Sequence, residues 1–172
     1  MLSLSDGRLG ATASPGGGTS LRLGIQPSCF EIDLDRFNIC LDLSLTNQNR
    51  LAAFQRAKNK WEAVIVGQNA LVGEFGPLIK GTQPQGVVWA TDVPTLLDDL
   101  YIAAFEEPID GNGRILGMSG PQFKDGEGRP VNGIMMFDST DIERLLNEDP
   151  QFWENIVIHE MAHILGIGTV VS

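Results

Sequence analysis

The sequence predicts an α+β layer structure, one sheet with two main helices packed against it. Three observations predict it. "FNICLDLSL", residues 37–45, alternates apolar and polar side chains with a period of two, the pattern of a strand. Residues 46–67 and 150–166 carry apolar side chains at helical spacing. Between these helices lie short extended runs separated by Gly- and Pro-rich turns. With 172 residues, 42% of them hydrophobic and 20% charged, the chain is long enough for one domain with its own core.

Residues 1–25 are rich in Gly and Ser and read as a flexible lead-in to a domain spanning residues 26–172. In the first strand Phe37, Ile39, Leu41, Leu43 and Leu45 form the buried face, which leaves Cys40 on the polar side. In the helix that follows, Leu51, Phe54, Ala57, Trp61, Val64 and Ile65 share a stripe. Thr46 or Asn47 suits its cap and Gly67 its stop. Arg50, Arg56, Lys58 and Lys60 are expected to solvate its outer face. A Gly- and Pro-rich loop covers about residues 67–86. "VVWAT" and "LLDDLYIAAF" read as strands, "DGNGR" as a turn, "ILGMSGP" as an extended segment, "KDGEGRP" as a turn and "NGIMMFD" as a strand. Asp138 or Ser139 caps a short helix. Asp149 caps the last one, with Pro150 at its favoured first position and Gly166 as its terminator.

Charge and cysteine content narrow the function classes. The net charge of −10 leaves the chain without the basic footprint that nucleic acid and anionic membranes require. No run of about 18 apolar residues is present to cross a membrane. The first twenty residues lack the apolar centre of a secretory signal. Cys29 and Cys40 are too few for a disulfide framework, and their spacing leaves open whether they pair.

The chemical signal is "HEMAHILG". His159 and His163 are four residues apart on the last helix, so both imidazoles project from one face. That spacing lets both rings reach one zinc ion. Glu160 sits about 100° around the helix, beside the metal rather than on it. A carboxylate there can take a proton from a metal-activated water. With two histidines and ten glutamates in the chain, chance would produce this arrangement on the order of once in 1,500 sequences. The competing structural reading packs both histidines beside Phe152 and Ile156, which share their stripe. Catalytic zinc normally takes three protein ligands and keeps one position open. His159 and His163 supply two, and the sequence singles out no third.

"HEMAHILGIGT" resembles the zinc helix of the metzincin peptidases, whose pattern is HExxHxxGxxH, and most of all the leishmanolysin-like members. "RILGMSGP" followed by "VNGIMMFDSTDIERL" is similar to the metzincin edge strand, loop and next strand, and the stretch from Trp61 to Gly67 is similar to a further motif of the leishmanolysin-like group. The likeness spans about residues 35–169. It implies a zincin-like N-terminal subdomain, with a twisted mixed sheet, a backing helix and an active-site helix. It implies that His159 and His163 hold one catalytic Zn2+, that Glu160 is the general base, and that Gly166 turns the chain toward a third ligand. It implies that Ile115, Leu116, Gly117, Met118 and Ser119 form an edge that binds a protein or peptide substrate in extended conformation. Thr169 stands where most metzincins carry their third histidine. In leishmanolysin-like members that histidine follows a long insertion and precedes a methionine-containing turn, so this chain is expected to be the N-terminal part of a longer catalytic domain. A secreted or cell-surface location is implied too, and Cys29 is the candidate for an inhibitory cysteine of the kind some metzincins carry. The expected function is zinc-dependent endopeptidase. The alternative is a catalytically incompetent binding or adhesion module that lacks the third ligand.

Overall fold

The computed structural model describes residues 35–43, 48–67, 72–73, 96–97 and 99–168. The lead-in, Cys29, the caps at Thr46 and Asn47, the "VVWAT" strand and Thr169 lie outside the described residues. The described elements run β1 (Ile39–Leu43), α1 (Gln48–Val64), β2 (Val72–Gly73), β3 (Leu96–Leu97), β4 (Leu100–Glu107), β5 (Gly117–Lys124), β6 (Pro130–Asp138), α2 (Ser139–Glu148) and α3 (Pro150–Ile164). This is a mixed α+β fold. Its main sheet has the order β1-β4-β6-β5, with β1, β4 and β6 parallel and β5 antiparallel to β6. β2 and β3 form a separate antiparallel pair.

β1 starts at Ile39, two residues later than expected, and corrects the sequence expectation in kind. All five of its side chains are buried. A parallel strand covered on both faces keeps few positions for water, so the apolar–polar alternation marks two buried faces rather than one. The polar positions are accommodated individually. Tyr101 of β4 donates its hydroxyl to Asp42 at 2.6 Å, and burial together with Asp42 pushes that hydroxyl far above its ordinary pKa. Cys40 is buried, not surface-facing, and is disulfide-bonded. The predicted strand over residues 96–105 is also divided. Leu96–Leu97 and Leu100–Glu107 are separate strands, and the buried Asp99 just ahead of β4 accepts a hydrogen bond from the Asn38 amide at 2.8 Å.

α1 buries Ala53, Phe54 and Ala57, with Leu51, Trp61 and Ile65 half-buried against the core. Val64, its last residue, is exposed, against the expectation. Of the four basic residues expected on a solvated outer face, Arg56 and Lys60 are exposed as expected, whereas Arg50 and Lys58 are buried. Arg50 is buried and pairs with Glu106 of β4 and Glu143 of α2. Lys58 is buried, pairs with Glu62 and donates to the Ile39 carbonyl at 2.7 Å. Arg56 and Lys60 both reach Glu154 on α3. The charged ends of Arg50, Arg56 and Lys60 tie the helix to its neighbours. The ammonium and guanidinium partners hold the Glu154 carboxyl below the usual range.

One aromatic cluster joins these layers. Phe54 of α1, Phe137 of β6 and Trp153 of α3 meet edge to face, with ring centroids 4.9 to 6.0 Å apart. Trp61 also donates its indole N–H to the Ile158 carbonyl of α3 at 3.2 Å. α3 therefore packs against both α1 and the sheet, and its end comes down onto β6. A Cβ on Gly133 would overlap the Ile164 side chain and come within 3.0 Å of the Gly120 carbonyl. The bare backbone at this position permits that approach.

Candidate metal centre

α3 is held at both ends by local chemistry. Asp149 caps its start by accepting from the Phe152 amide at 3.0 Å, and Pro150 opens the first turn. Its end is closed by Leu165 and by Gly166 at φ 83°. Trp153, Val157, Met161 and Ile164 face the core at nearly zero exposure. Rotating the helix to bury that stripe turns His159 outward, leaves His163 half-buried and directs Glu160 toward β5.

The two imidazoles converge. Their Nε2 atoms are 3.0 Å apart and the rings meet nearly perpendicular, 4.5 Å between centroids. Two nitrogens bound to one tetrahedral zinc at 2.0–2.1 Å would stand about 3.3 Å apart. The pair therefore fits two corners of such a site. Among the described residues no group of three or more His, Cys, Asp or Glu is placed to hold a metal ion, so a third protein donor is not found there. Of the two apolar residues that the competing reading places beside the histidines, Ile156 is buried in the core and Phe152 is exposed, and both line a cleft together with His159.

Glu160 is buried and seated by β5. Its Oε2 lies 2.6 Å from the Ser119 hydroxyl, which is also 2.8 Å from the Glu160 backbone carbonyl. A Cβ on Gly117 would stand 3.0 Å from the Phe137 ring and 3.3 Å from the Cγ of Glu160. Gly117 and Ser119 are two apart on a strand and so share a face. One leaves room for the carboxylate and the other bonds it. Of the edge residues named from the sequence, these two face the glutamate. Ile115 and Met118 are exposed, and Leu116 packs against the core at its rim. β5 itself begins at Gly117, so Ile115 and Leu116 belong to the segment leading into it.

A cleft of about 520 Å3 opens between that segment, residues 114–117, and the α3 face carrying Phe152, Asn155, Ile156, His159 and Glu160. Its rim is fixed from below by two acids. Asp138, fully buried, accepts from the amides of Ile109, Asp110 and Gly111 at 3.0–3.1 Å while also capping α2 through Thr140. These bonds, the Thr140 hydroxyl foremost, hold its carboxyl well below the ordinary range. Asp141 accepts from the Gly113 amide at 2.9 Å and from Arg144 at 2.8 Å. The sequence identifies Asp138 as a cap but not as the anchor of this loop, because its loop partners are backbone amides about 28 residues upstream. Asn155 and Arg114 are likewise missed as lining residues. The helical offset of Asn155, four before His159, is the signal that could have found it.

No helix among the described residues is long and apolar enough to cross a membrane. No family model, curated protein or solved structure matches the chain.

Proposed function

We propose that this chain is the catalytic domain, or part of one, of a zinc-dependent metalloendopeptidase with a zincin-like fold. The observation that carries the reading is one juxtaposition. Two converging imidazoles share a helix with a buried carboxylate, and that carboxylate is bonded to the edge strand bordering a cleft. His159 and His163 would hold the ion. A bound zinc ion supplies a Lewis acid for the scissile carbonyl and lowers the pKa of water. Glu160 takes the proton from the attacking water and returns it to the leaving amine as the carbon–nitrogen bond breaks. Ser119 keeps the carboxylate aimed during both transfers. β5 has no strand partner on its outer side among the described residues, so an extended protein or peptide substrate can add there by backbone pairing. The disulfide at Cys40 supports a secreted or cell-surface location, where such bonds persist.

One observation favours a second reading, a non-catalytic binding module. The described residues supply two histidines and no third donor. A zinc titration and the hydrolysis of quenched fluorescent peptides separate the two. Glu160→Gln should retain zinc and lower cleavage by about 10²- to 10⁴-fold, and the double variant His159→Ala, His163→Ala should lose zinc. Cleavage that survives Glu160→Gln would sink the peptidase reading. Zinc bound as tightly by the double variant would sink the metal site.

A further inference from the structure

We infer that Gly168 is a positioning residue for His163, its bare backbone forming the wall that holds the second imidazole in place; the metal-binding consequence rests on the function proposed above. A ligating histidine is usually oriented through its other ring nitrogen, which donates to a carboxylate or a carbonyl. His163 is not held that way. Its Nδ1 is buried and has no hydrogen-bond partner among the described residues. Packing must then fix the ring. One side is occupied by His159, whose ring stands 4.5 Å away at 85°. Gly168 comes against the ring as well, where a Cβ would lie 3.0 Å from Cε1 and 3.1 Å from Nδ1.

Two features of this position exclude a side chain. Gly168 has φ +100°, a conformation that L-residues rarely adopt. The added carbon would also press on Cε1, the ring atom bonded to Nε2, and so move the nitrogen that faces His159. The turn that ends α3 therefore does more than stop the helix. It brings the chain back over the imidazole at Gly168 and shields Nδ1 from water.

Gly128 supplies the control. It has φ +82°, and a Cβ there would meet nothing within 4 Å, so alanine tests backbone strain without a ring contact. Because the chain has two histidines, its imidazole Cε1–H region holds two lines, which His159→Gln assigns. The wild-type protein should show a nuclear Overhauser contact between the Gly168 α-protons and the His163 Cε1–H. Gly168→Ala should shift the His163 line and weaken Zn2+ binding about ten- to a hundredfold, while Gly128→Ala should leave both as they are. Absence of the contact in wild type overturns the inference even if Gly168→Ala fails to fold. So does a folded Gly168→Ala protein with an unmoved His163 line. A wild-type chain that binds no zinc sinks the proposed function instead, and the ring contact still decides the placement of Gly168.

Discussion

The two edges of the main sheet are built to opposite ends. Among the described residues β1 is an edge strand with every side chain buried, and α1 covers it. At Ile39 its backbone is also satisfied from outside the sheet. The Ile39 amide donates to Glu62 at 2.7 Å and the Ile39 carbonyl accepts from Lys58, so one helical ion pair closes both groups. β5, at the other edge, alternates half-buried and exposed residues and shows Met118 to solvent. Its inward positions seat a carboxylate rather than a core. An unpaired strand edge invites another chain to add to it. The fold blunts that liability at Ile39 of β1 and keeps it at β5, beside the only two histidines in the chain.

Substitutions can break this contrast. The largest effect is expected at the closed edge, where Leu41→Ala should cost about 2–5 kcal/mol in denaturant unfolding, while Met118→Ala on β5 should stay within about 0.5 kcal/mol. Equal costs would show that the edges do not differ. Lys58→Ala should come next, at about 1–3 kcal/mol, because it leaves the Ile39 carbonyl and Glu62 without their buried donor. Ser119→Ala should reverse the pattern, with little change in melting temperature and about a tenfold fall in peptide hydrolysis, the worth of one hydrogen bond to a charged group. A stability loss without an activity loss would reduce Ser119 to a structural role. The smallest effect concerns acid. Asp138 has a depressed folded pKa, so its anchoring of the cleft-rim loop is fully present above the unfolded carboxylate value of about 3.9 and is lost only as pH falls through the lower folded value. Amide exchange at Asp110 and Gly111 should stay slow at about pH 4 and quicken in stronger acid. Release of the loop already near neutral pH would contradict the assignment.

The elements legible in the sequence are those marked by local chemistry. Asp138, Asp149, Pro150 and Gly166 delimit α2 and α3 as expected, because caps and stops act within a few residues. The convergence of His159 and His163 is legible for the same reason, as a property of one helix. What escapes depends on distant partners. Alternation in β1 cannot report a second covered face, and the charges of Arg50, Arg56 and Lys60 cannot report that acids on β4, α2 and α3 await them. Ser119 lies on the strand expected of it, yet its bond to Glu160 spans 41 residues and forms only once β5 and α3 are packed together.

Gly133 has a consequence for that packing. Beneath Ile164 the spacer between helix and sheet is backbone alone, so the height of the histidine-bearing end of α3 is set by a single missing methyl group. Alanine there would act as a shim. It would lift the C-terminal turn of α3 while the Phe54–Phe137–Trp153 cluster held the other end down, tilting the helix about its aromatic anchor. The cleft would change its gauge before the protein lost its fold.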